Sequence, residues 1–252
     1  MKSVQSIDRA LGILDAFSFE HQELSMTEIS IKLNLPKSTV MRLLNAFEKN
    51  YYLEKNQNTK KYRLGIKLLY LGGIVQNRIE TREVAKPLME KARKITGESI
   101  LLSIIANNKR LCIEYLETIH DLKAGFYVGQ TSPLHVGATG KLLLAFLDNS
   151  EIDKIIDDSE LVMLTKNTIT NKTDLKNELL QIRKQQYAFS KEERLDGVIG
   201  ISVPIYDYSK KVVAALGTAV PKLRMDDYKQ DYYLSVLQNI AREISYKMGY
   251  KG

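Results

Sequence analysis

Tryptophan is absent from these 252 residues, and cysteine, histidine and proline are scarce, at one, three and five. The single thiol, Cys112, excludes an internal disulfide. Its place in the apolar run Leu111-Cys112-Ile113 marks it as a buried small hydrophobe and not a nucleophile. His21, His120 and His135 are the only imidazoles, and no His/Cys cluster has metal-ligand spacing, so neither a metal nor a cofactor is expected. No G-x-S-x-G occurs, and the side chains of Glu192 and Glu193 would point to opposite sides of a strand, where they cannot share one substrate. A salt-bridged or solvated edge accounts for that pair, and nothing in the chain reads as an enzyme. No apolar run approaches a membrane span, and Asp8 and Arg9 lie where a signal peptide needs an apolar core, which predicts a cytoplasmic protein.

One stretch imitates a nucleotide-binding loop. A phosphate loop reads G-x-x-x-x-G-K-[ST], but in "HVGATGKL" His135 stands at the first glycine and Leu142 at the hydroxyl that would hold magnesium. Without either residue the mechanism fails, so a small-residue loop opening a helix needs another explanation.

The length suits two modest domains. Val4, Ile7, Leu11, Leu14 and Phe17 recur at helical spacing and predict a helix over about 4–18. A short second helix follows, with Ile29 and Leu33 inward, Thr27 as its cap and Asn34 as its end. Pro36 then begins a third helix carrying Val40, Leu43, Leu44 and Phe47 on one face. Two short helices joined by a tight turn form a helix-turn-helix.

Opposite that apolar stripe lie Ser38, Arg42, Asn45 and Lys49, with Met41 on the flank and Lys37 and Thr39 in the first turn. Such side chains can read base edges and hold phosphates in a major groove, although a solvated helix face presents similar residues. The charge distribution favours DNA. "YYLEKNQNTKKYRLG" reads as a hairpin wing, with strands at Tyr51–Leu53 and Tyr62–Leu64 around a polar turn. From Lys37 to Lys67 there are eight Lys or Arg residues, Lys60, Lys61 and Arg63 among them, against two acids. Six of the seven net positive charges thus fall on one helix and one wing. Double-stranded DNA is the expected partner.

Two amphipathic runs follow, "IKLLYLGGIVQNRIE" and "REVAKPLMEKARKITG". Leu68, Leu69, Leu71 and Ile74 of the first exceed what one small domain buries and suggest interdomain and subunit contact, with simple packing on the second domain as the plainer alternative. Beyond residue 99 the chain turns β-rich. "SILLSIIA" and "RLCIEYLE" pair across Asn107-Asn108-Lys109, "LKAGFYVG" is a third strand, and "YAFS", "GVIGISVPIYD" and "KVVAALGTAV" are three more. Helices are expected at about 137–148, 150–157, 173–187 and 226–248, so the second domain is α+β.

Together "VQSIDRALGILDAF", "LPKSTVMRLLNAFEKNYYLEK", "KYRLG", "PLHVGATGKLLLAF", "LTKNTITN" and "GVIGISVPIYD" resemble the isocitrate-lyase-regulator (IclR) family of bacterial transcription factors, over about Val4 to Pro221. The resemblance implies a winged helix-turn-helix over 1–65, a linker helix over 66–82 and a GAF-like effector-binding and oligomerisation domain over 83–252. It further implies a homodimer or dimer of dimers on a palindromic operator, and by family habit a repressor of a catabolic operon.

In relatives the loop matching Gly137, Ala138, Thr139 and Gly140 receives a small anion on backbone N–H groups, which helix N-termini leave unpartnered. A tight loop packed through small residues is the plainer alternative. Ser190, Gly200, Gly217 and Ala219 match further pocket positions, where relatives often carry Asp, Cys and Ser. The departures imply a roomier, less charged cavity, with a small carboxylate as the expected ligand. Two other readings are an oligomerisation module without ligand and an enzyme bearing a DNA-binding appendage.

Overall fold

A computed structural model describes residues 4–18, 20–76 and 80–251. The chain divides into two compact units, 1–78 and 79–252. Residues 77–79 of the expected linker helix, and residues 1–3 and 252 at the ends of the expected domains, lie outside the described part.

The first unit begins with α1 (Gln5–Asp15), α2 (Met26–Lys32) and α3 (Lys37–Lys49). Ile13, Ile29, Val40 and Leu44 meet in its core with Leu53 and Tyr62 of the wing. The cap of α2 is Ser25 and not Thr27. The Ser25 hydroxyl accepts from the Glu28 N–H, and the Glu28 carboxylate accepts from the Ser25 N–H at 2.7 Å. Such a reciprocal box is the pattern S-x-x-E, which here begins two residues before the threonine and satisfies two otherwise unpartnered donors. Asn34 then adopts a positive φ of 49° and turns the chain into α3. The wing is β1 (Leu53–Lys55) paired antiparallel with β2 (Tyr62–Leu64), and Leu24 bridges to Tyr62 as a third edge. Asn56 closes the turn, its side-chain oxygen accepting from the N–H groups of Asn58 and Thr59. After the wing comes α4 (Ile66–Gln76), mostly apolar and with no distinct polar face, with Ile66 and Leu69 64% and 72% exposed. A helix of that composition belongs in an interior, not facing water.

The second unit is built on a six-stranded antiparallel sheet. Its strands are β3 (Ser99–Ala106), β4 (Lys109–Leu116), β5 (Thr131–Pro133), β6 (Ala188–Lys191), β7 (Val198–Tyr206) and β8 (Val212–Pro221), in the order β5-β4-β3-β8-β7-β6. Alternation sorts the side chains. Ile100 and Leu102, Ile201 and Val203, and Ala214 and Leu216 point to one face, where α5 (Glu80–Thr96) and α9 (Asp227–Lys247) cover them. Behind the other face, α6 (Gly137–Ala145), α7 (Asn149–Asp158) and α8 (Lys172–Gln185) pack a second cluster through Leu142, Ile156 and Leu179.

"LKAGFYVG" is not a strand. Gly125 and Gly129 take positive φ values of 63° and 89°, which no extended ladder accommodates, and the pairing shifts downstream to β5. Among the described residues no helix is long and apolar enough to cross a membrane.

Candidate functional site

In the first unit α3 turns Val40 and Leu44 into the core and leaves Lys37, Ser38, Met41, Arg42, Asn45 and Lys49 exposed, with Thr39 half-buried. The polar side chains therefore share the face away from the core, with an arginine and an asparagine centred on it. On the wing, Lys60 is exposed at the turn. Arg63 is held by the cross-strand Glu54 through two hydrogen bonds, of 2.9 and 3.1 Å, and Lys61 lies 3.9 Å from Glu28. Among the described residues Lys37, Arg42, Lys49 and Lys60 have no ion-pair partner, whereas Arg63 is already compensated.

In the second unit Gly137, Ala138, Thr139 and Gly140 converge with the sheet on one open cleft of about 470 Å³, the solvent at its mouth included. Gly137 opens α6 with a φ of 74°; the preceding Val136 offers no side-chain cap, and the Gly137 N–H favours the charged form of the neighbouring Glu193 carboxyl. A side chain at Gly140 would begin 2.8 Å from the Leu134 carbonyl oxygen, so only glycine permits that approach. Ser190, Gly200 and Ala219 stand in one row across β6, β7 and β8. The row faces the start of α6, since a Cβ on Gly200 would lie 3.3 Å from the Ala138 Cβ and 3.6 Å from the Ser190 hydroxyl.

Gly217 is not part of the lining. A Cβ there would sit 2.9 Å from the Thr139 hydroxyl and 2.9 Å from the Ile201 carbonyl oxygen, so its missing side chain leaves no extra room. The cleft is therefore less roomy at this position than the small residue implies.

Nor is the cleft poor in charge. Arg110 of β4, only 2% exposed, lines it together with the half-buried Arg194 from the loop after β6. Arg110 donates through Nε to Ser132 at 2.8 Å and through Nη1 to Ser103 at 3.3 Å, while Nη2 has no partner. Both guanidinium carbons lie over the Phe126 ring, 5.7 Å and 4.3 Å from its centre, within cation–π range. No acidic side chain lines the cleft, and neither arginine has an ion-pair partner among the described residues. Burial, reinforced by the Arg194 charge, pushes Arg110 down to about 10, and burial likewise lowers Arg194. An anion would relieve both.

Lys141, the residue that mimics a phosphate-loop lysine, turns away from any ligand. It is 1% exposed, and its Nζ donates at 2.7 Å to Glu178 of α8 and at 2.7 Å to Glu193. Glu192 and Glu193 sit in the loop beyond β6 and not in a strand. Glu192 pairs with Lys222 at 2.7 Å, and the Glu193 carbonyl accepts from Thr168 at 2.6 Å. These bonds anchor the loop that presents Arg194. Burial raises the Glu193 carboxyl above the usual carboxylate range, against the pull of Lys141.

Sequence reasoning overlooked both cleft arginines, although one signal was present. Arg110 lies two residues from Cys112 along a strand, so the inward position of the thiol assigns the arginine to the same buried side.

Comparison with known proteins agrees with this architecture. Residues 6–57 match the family model described as the IclR helix-turn-helix domain, and residues 74–246 match the bacterial transcriptional regulator IclR C-terminal model. The chain is 32% identical to the HTH-type transcriptional regulator XynR of Escherichia coli K12, over 99% of both chains. The crystal structure of Thermotoga maritima IclR is 30% identical and superposes with a TM-score of 0.78, covering 98% of this chain and 99% of that one. An IclR homologue from Microbacterium hydrocarbonoxydans, complexed with 4-hydroxybenzoate, shares the fold at 23% identity and a TM-score of 0.84, covering 96% of this chain and 98% of that one.

Proposed function

Because the chain belongs to the IclR family of bacterial transcriptional regulators, we propose that it represses transcription from a palindromic operator, as a homodimer or dimer of dimers, and that a small carboxylate in the cleft changes its hold on DNA. Residues 1–65 make the DNA contacts, 66–82 link, and 83–252 receive the ligand and assemble. The observation that carries the ligand half of this reading is the cleft with two arginines and no acid. An oligomerisation module without ligand would have no use for an uncompensated buried charge, which is costly to keep. Assembly is supported by the exposed apolar residues of α1 (Ile7, Leu11) with Val4 just before it, and of α4 (Ile66, Leu69, Tyr70), which two copies of the chain could cover.

Two sets of variants test the DNA half. Arg42→Ala should weaken operator binding by ~1 to 3 kcal/mol and relax base preference at one position, since an arginine forking onto a base edge carries sequence information. Replacing Lys60 and Lys61 together by Ala should weaken all sequences alike and flatten the dependence of affinity on salt. Anisotropy titrations against randomised operators separate the two. Unchanged affinity and preference for Arg42→Ala would remove α3 from the interface.

The ligand half predicts that Ala138→Leu, which fills the space before the α6 amides, abolishes the response to carboxylates while operator binding without ligand persists. Gly200→Cys should alter which acids are recognised, because its Cβ would crowd Ala138 at 3.3 Å. Operator binding across a panel of carboxylates, with a melting curve for each variant, reads both. A wild-type response from Ala138→Leu would make the loop purely structural.

A further inference from the structure

We infer that the cleft selects a ligand with two negative ends, a small dicarboxylate, over the monocarboxylate of the same length. The inference rests on the reading of the cleft as the effector site and adds the charge and shape of what fills it.

The charge count comes first. Arg110 and Arg194 place two cations in one cleft, the α6 N-terminus adds the positive end of a helix dipole, and no lining residue is acidic. The neighbouring carboxylates are engaged elsewhere, Glu193 by Lys141 and Glu114 by Arg82 and Lys86. One carboxylate would leave a guanidinium uncompensated in a partly desolvated site. Two would neutralise both.

Donor geometry then favours two separated ends over a single compact group. Ser132 and Ser103 take one donor each on Nε and Nη1 of Arg110, which closes the side-on fork of Nε with Nη2 that can grip a phosphate. Arg110 keeps Nη2, which suits one carboxylate oxygen. Arg194 approaches from the rim loop, beside Gly137, whose Cβ would lie 3.7 Å from the Arg194 Cβ. It stands next to the start of α6. A short chain with a carboxylate at each end meets Arg110 at the sheet and Arg194 with the helix amides at the rim. Both guanidiniums share the Phe126 ring, so the two cations are close enough for one small molecule to reach both.

The test is calorimetric titration of the full-length protein with matched pairs, succinate against butyrate and glutarate against pentanoate, with glycerol 3-phosphate as the compact dianion. The dicarboxylates should bind at least about tenfold more tightly than their partners, one charge-assisted hydrogen bond being worth that much. Arg194→Gln should erase the preference. Arg110→Gln should do the same, and because Arg194 is the more exposed of the two, its variant remains informative if the buried substitution fails to fold. Monocarboxylates binding as tightly as dicarboxylates, or an Arg194→Gln protein that keeps the preference, would overturn the inference and leave the effector reading standing. Tighter binding of glycerol 3-phosphate than of either dicarboxylate would overturn the two-ended shape. If millimolar concentrations of all five compounds give no heat and no rise in melting temperature, the inference fails; a continued lack of response from operator complexes to any organic acid would be the separate failure of the effector reading.

Discussion

Lys141→Met should lower the unfolding free energy of the second unit by about 3 to 5 kcal/mol, the cost of leaving a buried carboxylate without its cation. Against a typical domain stability of roughly 5 to 15 kcal/mol this is a large fraction. The lysine lies between Glu178 and Glu193, and Glu193 is the more buried of the two, with Oε2 already unpartnered. Glu178 can turn toward water. Adding Glu193→Met to Lys141→Met should therefore recover most of the loss, because an apolar pair replaces an orphaned charge. The pH dependence has a definite sign. Burial already raises the Glu193 carboxyl, and removing Lys141 takes away the main opposing influence. A group whose folded value exceeds its unfolded one contributes stability at low pH that is lost as pH rises through the folded value. The deficit of Lys141→Met should hence be smallest near the ordinary carboxylate range and grow as pH rises above it. Urea unfolding at several pH values measures this, and a loss under about 1 kcal/mol at neutral pH would show that the network is not a structural pin.

Residues 1–78 alone should bind a palindromic operator ~100- to 10,000-fold more weakly than the full chain. This unit has its own core around Ile13, Ile29 and Leu44, so weak binding would not reflect unfolding. The loss arises because an assembled protein engages the second half-site at high effective concentration, with the half-sites about one helical turn apart. On a single half-site the difference should shrink greatly. Anisotropy titrations of both proteins on full and half operators give the four constants needed. Equal affinities on the full operator would mean that assembly contributes nothing to DNA binding.

Legibility in the sequence followed the range of the interactions involved. The helices α1, α3 and α9 carry their apolar residues at helical spacing, and the wing is signalled by apolar residues around a polar turn, although its first strand runs Leu53–Lys55 and not Tyr51–Leu53 because Tyr51 takes a positive φ of 63°. The segment around Phe126 misled for the same reason. Its composition is that of a strand, and only the left-handed conformations of Gly125 and Gly129 divert it. Of the cleft, the helix-opening loop and the row Ser190, Gly200 and Ala219 could be placed through the resemblance to a family. The arginines could not, since Arg110 on β4 and Arg194 in the loop after β6 are far apart in sequence and come to one cleft only in the folded sheet. Lys141 shows the reverse, a residue that looks like ligand chemistry in sequence and is a structural ion pair in the fold.

Cys112 has a practical consequence. It is fully buried on β4, and burial drives its thiol up to about 11, far from the thiolate that alkylating probes require. A maleimide dye should therefore pass over the native protein, and a cysteine introduced at the wing turn, for instance Thr59→Cys, would be its sole point of attachment. The wing can thus carry a fluorophore or a spin label without first removing the natural thiol, and its approach to DNA can be followed in an otherwise unaltered chain.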